Sequence, residues 1–250
     1  MRTNSYTKFA QFYDTLTDNV DYELMAERID EIAKQYGKKD GILLELGCGT
    51  GTLCEKMSGR GYDVIGVDNS QEMLSVALDK KYDSELDVQY ICQDMTELDM
   101  FGTIDVTMSV LDSLNHLDGI ESVRKTFERV SLFAYPDGLF IFDMNTVYKH
   151  KEVLSCNSFV YDKDDVYCVW SNDFSQEDNS VFIALDFFEK IGEHYERFTE
   201  SFSEIAYDID TIKSELENAG FEVKGVFDGY GQEPVCETTQ RVVFVAQKNN

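Results

Sequence analysis

The run Leu43-Leu44-Glu45-Leu46-Gly47-Cys48-Gly49-Thr50-Gly51 puts an acid two residues ahead of three alternate glycines. Glycine tolerates positive φ and lets a ligand lie directly against bare backbone. A dinucleotide fingerprint needs G-x-G-x-x-G, so that phosphates can meet a helix N-terminus. Its third glycine would fall at Thr52, which disfavours a nicotinamide-dependent oxidoreductase. Two further acids close apolar runs, Asp68 in Val64-Ile65-Gly66-Val67-Asp68-Asn69-Ser70 and Asp94 in Tyr90-Ile91-Cys92-Gln93-Asp94-Met95. A carboxylate at a strand end can accept hydrogen bonds from a pair of hydroxyls, strengthened by its charge. A fourth segment, Ile104 to Leu117, ends in Asp112, Asn115 and His116. His116 is one of only three histidines and is the leading proton acceptor, with Asp112 the alternative. Arg241 has the planar fork that clamps a carboxylate, or that forms a structural ion pair.

The elements that must position these residues alternate through the first 145 positions. Leu24, Met25, Ile29 and Ile32 recur at helical spacing between Tyr22 and Tyr36. Strands are expected at Ile42–Leu46, Asp63–Val67, Val88–Cys92, Ile104–Val110 and Leu139–Met144. Helices are expected at Thr52–Gly59, at Gln71–Lys80 with Ser70 as N-cap, and at Glu121–Phe133. Buried parallel strands joined by helices make a doubly wound Rossmann-like α/β sheet, which binds ligands at the carboxyl ends of its strands.

From residue 148 to 206 the pattern changes. Ser158–Tyr161, Val166–Asn172, Val181–Phe188 and His194–Phe202 are aromatic and β-branched, with polar turns between them. This predicts an antiparallel meander inserted into the α/β chain. A helix at Asp210–Ala219 and strands at Phe221–Phe227 and Arg241–Ala246 then complete the core, whose last strand runs antiparallel. The expected division is a core of 1–147 and 207–250, opened by a helical segment over 1–37, and an insert of 148–206.

Composition narrows the function classes. The chain has 250 residues, 43% of them apolar, enough for one large core. No apolar run approaches the roughly 20 residues of a membrane span, and the polar start carries no signal-peptide core. A cytoplasmic protein is expected. The 48 acidic and 22 basic residues give a formal charge of −26, which repels phosphate backbones and anionic headgroups. A nucleic-acid partner is therefore not expected, nor a membrane. None of the six cysteines forms a C-x-x-C pair or has zinc-ligand spacing, so no metal site is expected.

The glycine run with its leading acid resembles motif I of the class I S-adenosylmethionine-dependent methyltransferases. That resemblance implies the cofactor S-adenosyl-L-methionine, with S-adenosyl-L-homocysteine as product. It implies Glu45 near the amino-acid end of the cofactor, and Gly47, Cys48, Gly49 and Gly51 lining it with backbone. Asp68 takes the ribose hydroxyls, Asn69 and Met73 border the adenine, and Asp94 and Met95 reach its edge. Ser109, Val110 and Leu111 line the sulfonium side, while Asp112, Asn115 and His116 face the acceptor. The opening Tyr6-Thr7-Lys8-Phe9-Ala10-Gln11-Phe12-Tyr13-Asp14, followed by Val20-Asp21-Tyr22-Glu23, is similar to that of a group of small bacterial methyltransferases whose acceptors are generally unassigned. In related folds this segment covers the cofactor and a tyrosine approaches the methyl group, which points to Tyr13 and then Tyr6. The group often carries a histidine shortly before the position of Tyr207, and Glu200–Ala206 has none.

The resulting expectation is in-line methyl transfer to a small-molecule acceptor, with His116 or Asp112 as base. Trp170, with Tyr167, Phe187 and Tyr195, would wall the acceptor site, pack the insert onto the core or form a homodimer contact, and Arg241 would bind an acceptor carboxylate unless it is held in a structural ion pair. The alternative is a non-catalytic module of the same fold that acts through its β insert.

Overall fold

The computed structural model describes residues 8–249. Tyr6 lies outside them. Helices α1 (Phe9–Leu16) and α2 (Tyr22–Gln35) come first. The Asp21 carboxylate caps α2 by accepting from the Leu24 N–H at 2.9 Å. There follow β1 (Ile42–Leu46), α3 (Thr52–Ser58), β2 (Asp63–Asp68), α4 (Gln71–Ser84), β3 (Val88–Cys92), β4 (Ile104–Ser109), α5 (Ile120–Phe133) and β5 (Ala134–Asn145). The Ser70 hydroxyl caps α4 by accepting from the Met73 N–H at 3.2 Å. A π-helical turn, Lys149–Leu154, leads into β6 (Ser158–Asp162), β7 (Val166–Phe174), β8 (Ser180–Ile191) and β9 (His194–Ile205). The chain ends with α6 (Ile209–Asn218), β10 (Phe221–Asp228) and β11 (Arg241–Lys248).

The seven-stranded sheet has the order β10-β11-β5-β4-β1-β2-β3. β1 to β5 are parallel, and β11 runs antiparallel to both β5 and β10. Order reverses between β1 and β4, the switch point at which such sheets open a crevice. Apolar side chains fill both faces, with Ile29, Leu43, Leu53 and Val64 on one and Leu44, Phe127, Phe140 and Leu216 on the other. A separate four-stranded antiparallel sheet, β6-β7-β8-β9, is the insert.

Helix α1 joins the insert to the core. Leu16 is buried in the insert's apolar cluster, and Phe9 and Phe12 pack against it. Phe9 lies 5.8 Å from Phe187 and Phe12 lies 6.1 Å from Phe198, ring centre to centre. Burying such side chains contributes about 1.5–3 kcal/mol each, so eight residues too short to hold as an isolated helix are held by packing. Lys163 Nζ reaches Asp18 at 2.6 Å and Lys8 Nζ reaches Glu189 at 3.4 Å. Among the described residues no helix is long and apolar enough to cross a membrane.

Candidate active site

At the carboxyl end of β1 the chain turns through Gly47, Gly49 and Gly51, all at positive φ. The turn is held from beneath: the Gly47 and Cys48 N–H groups donate to the Val67 carbonyl at 2.8 and 3.0 Å. Gly49 has φ +52° and nothing within 4 Å of where a Cβ would stand, so its backbone forms an open ledge. Its N–H donates to Asp68 Oδ2 at 2.8 Å, while Asp68 Oδ1 accepts from the Ser70 N–H at 2.8 Å. Burial pushes the Asp68 carboxyl up, against those backbone donors.

Glu45 is 2% exposed. Burial pushes its carboxyl up to about 8, against a hydrogen bond donated by the Cys54 thiol at 2.8 Å. A buried acid beside an open backbone ledge suits a ligand that carries its own positive charge, which would compensate the cost of burying the carboxylate.

A cleft of about 30 Å³ brings together Tyr13, Glu45, Gly47, Cys48, Gly49, Val110 and Leu111 of the expected residues, with Tyr22, Thr50, Thr52, Leu53 and Ser113. Its roof is latched. Asp14 of α1 accepts from the Thr50 hydroxyl at 2.6 Å and from Lys80 Nζ at 2.8 Å. The other expected residues take different places. Asn69 is exposed and Met73 buried beyond Asp68. Met95 comes near Gly47, its methyl 3.5 Å from where a Cβ on that glycine would stand. Asp94 caps the turn that follows β3, accepting from the Thr96 N–H and hydroxyl at 2.9 and 2.8 Å.

Several sequence expectations need correction. Ser109 is fully buried and its hydroxyl donates to the Leu46 carbonyl at 3.0 Å, so it ties β4 to β1 and does not face the cleft. Asn115 is fully buried as well. Its amide donates to the carbonyls of Asn145 and Ile205, and its oxygen accepts from the Asn145 N–H. It joins the insert to the core and does not face an acceptor. Arg241 lies between Asp112, at 2.5 Å, and Asp143, and so has no free fork for a ligand. Burial opposes the Asp112 charge, but Arg241 and Lys149 hold its carboxyl well below the usual range, which makes it a poor base. Trp170 donates its indole N–H to Asn172 at 2.6 Å and stacks on Tyr161 within the insert. Phe187 is fully buried against Phe198 and walls no cleft.

Sequence reasoning missed the organiser of this region. Asp143 on β5 is fully buried and accepts from four donors: the N–H groups of Leu111 and Asp112, Tyr230 Oη and Arg241 Nη1. Leu111 and Asp112 have φ of +52° and +57°, a costly pair for residues with a Cβ, and the Asp143 carboxylate holds them there. The loop after β4 is thereby turned toward the insert, with His116 against Phe202 at 4.9 Å between ring centres.

Residues 43–138 match the family model of a methyltransferase domain. A Geobacillus sp. (strain WCH70) protein named as a methyltransferase is 33% identical over 246 residues, covering 98% of this chain and 100% of the relative. The chain belongs to the S-adenosylmethionine-dependent methyltransferases. A Bacillus subtilis (strain 168) protein named as a methyltransferase, YqeM, is 30% identical over 98% of this chain and 97% of its own. A solved methyltransferase of this cofactor class from Clostridium acetobutylicum ATCC 824 superposes with a TM-score of 0.88 at 33% identity, covering 98% of this chain and 99% of that one. The S-adenosylmethionine-bound amino pentose methyltransferase CalS10 from Micromonospora echinaspora shares the fold, with a TM-score of 0.74 at 17% identity over 92% of each chain. The open ledge at Gly49 and the buried Glu45 fit the cofactor this methyltransferase family uses.

Proposed function

We propose that this methyltransferase acts on a small-molecule acceptor held between the loop after β4, the π-helical turn and β9 of the insert. The observation that carries this reading is the covering of the crevice: α1 is latched to Thr50 and Lys80 beside the glycine turn, and β9 of the insert closes on the loop after β4 through Phe202 against His116 and the Ile205 carbonyl on Asn115. A large acceptor would need an open face there. The −26 charge favours a neutral or cationic acceptor over a phosphate-rich one.

In this reading Glu45 meets the amino-acid end of the cofactor, the Gly47–Gly49 backbone supports it, and Asp68 and Asp94 serve its nucleoside end. When bound, S-adenosylmethionine supplies a methyl group already activated on a sulfonium. The chain's own residues align and desolvate. Tyr13 closes the roof over the methyl side, and Val110 and Leu111 keep it dry. Holding a nucleophile in near-attack geometry can lower the barrier by about 7–11 kcal/mol. His116 takes the proton of an acceptor that has one to lose. A non-catalytic module acting through the insert is not favoured, because the insert's inner face is already filled by Phe9, Phe12 and Leu16.

Incubation with methyl-labelled cofactor and a fractionated bacterial metabolite extract, read by mass spectrometry, tests the proposal. A labelled small product is expected. Label found only in protein or nucleic acid would overturn it.

A further inference from the structure

Behind His116 stands a buried carboxylate with no part in the account above. Glu204 on β9 is 2% exposed. Its Oε2 accepts from Asn145 Nδ2 at 2.9 Å and lies 3.4 Å from His150 Nε2. Its Oε1 lies 3.8 Å from His116 Nε2. His150, in the π-helical turn, is fully buried, and its Nδ1 is 3.0 Å from the Asn179 carbonyl oxygen. A carbonyl only accepts, so Nδ1 carries the hydrogen. His150 Nε2 faces Oε2 without a hydrogen bond of good geometry.

Oε2 is thus taken by the Asn145 amide and faces His150, while Oε1 lies on the His116 side. We propose that Glu204 is the positioning residue of His116: it accepts the Nε2 hydrogen, so that Nδ1 is the nitrogen that receives the acceptor's proton. As the methyl carbon–sulfur bond breaks and the electron pair stays on sulfur, the acceptor atom bonds the methyl and its proton passes to Nδ1. The resulting imidazolium rests against the Glu204 carboxylate. A carboxylate behind an imidazole fixes tautomer and orientation in this way in unrelated enzymes.

The other charges facing this pair are Asp112 and Lys149, with Asp143 and Arg241 behind them, and Asp68 across the cofactor side. The donor atoms of Asp112, His116 and Glu204 lie within 4.8 Å of one another. Arg241 and Lys149 already supply positive charge at Asp112, so the cluster is a proton site and not a cation site.

The inference rests on His116 being the base, and the test separates the two. Protein labelled with ¹⁵N-histidine has three ring systems, His116, His150 and His194. In Glu204→Gln the ¹⁵N signals of the His116 ring should move away from the Nε2–H pattern. Cofactor affinity should stay within about twofold, since Glu204 touches none of the glycine turn. An unchanged His116 tautomer would overturn the inference. Should Glu204→Gln fail to fold, Glu204→Asp withdraws the carboxylate by one methylene and should move the same signals the same way; no movement there counts equally against it. If His116→Asn keeps full methyl transfer while Glu204→Gln moves the ring signals, the base assignment fails and the positioning contact stands. If His116→Asn abolishes transfer while the ring ignores Glu204, this inference fails alone.

Discussion

The two halves of the crevice are built by opposite means. On the cofactor side a single turn does most of the work: Glu45 to Gly51 are contiguous, and the carboxylate that braces them, Asp68, is 19 residues from Gly49. Its surface is backbone with one buried, uncompensated acid. On the side proposed for the acceptor the organising contacts are long-range and charged. Tyr230 reaches Asp143 across 87 positions, and Arg241 reaches Asp143 and Asp112 across 98 and 129. A reagent common to a whole family can be met by backbone and a local motif. An acceptor peculiar to one protein must be met by side chains that the fold gathers from distant elements.

The contrast predicts opposite responses to pH, and this is the largest expected effect. The Glu45 carboxyl is raised in the fold, from an ordinary 4.5 to about 8. The folded state therefore binds more protons between those values, and stability falls as pH rises through them. Over that range the loss is at most roughly 5 kcal/mol. Glu45→Gln should gain on the wild type progressively from pH 4.5 to 9 in urea denaturation; a flat difference would break the assignment. Asp112 goes the other way. Its carboxyl is depressed in the fold, so its contribution is present above the ordinary 3.8 and is lost as pH falls below it.

Next in size is Arg241→Ala, which leaves Asp112 and Asp143 facing each other without their shared cation. Removing one partner of a buried ion pair costs about 3–5 kcal/mol. Chemical denaturation should show that loss, while calorimetry on the folded variant should show cofactor affinity changed far less. Equal losses in both would mean that the halves are not independent.

Gly47→Ala should do the reverse. A Cβ there would stand 2.6 Å from Ser113 Oγ, at a φ of +69°. The strain is about 1–2 kcal/mol, and bending the turn should weaken the cofactor about tenfold or more with a smaller effect on folding. The smallest effect belongs to the roof. Asp14→Ala removes the hydrogen bonds to Thr50 and Lys80, worth about 1 kcal/mol at this partly exposed place. Hydrogen exchange over α1 should quicken a few-fold, and unchanged exchange would show that the Phe9 and Phe12 packing alone holds the helix.

This division also explains what the sequence disclosed. β3 runs from Val88 to Cys92 as its apolar pattern predicts, and the four insert strands begin within a residue of their predicted starts, because alternation and polar turns are local signals. Helix α1 was expected only as part of a loose helical segment, since its stability comes from the insert and not from its own eight residues. The π-helical turn carries no periodicity that separates it from a loop. Asp143 left a trace: an acid inside the apolar run Leu139–Met144 must be buried and must therefore find partners. Glu204, His150 and Tyr230 left none, because nothing local distinguishes them from surface residues until the insert folds back on the core. Asn115 and Ser109 misled for the matching reason, since their place beside a strand end did not show which way they point.

The central claim is that the glycine turn and Glu45 receive the amino-acid end of S-adenosylmethionine. Its ammonium should favour the Glu45 carboxylate, which is mostly protonated near pH 7 when its carboxyl is pushed up to about 8. Calorimetric titration of S-adenosylmethionine at pH 7, in two buffers of different ionisation enthalpy, should show binding with release of a proton from the wild type, and weaker binding with none from Glu45→Gln. Binding of equal strength by both proteins, with no proton released by either, would contradict it.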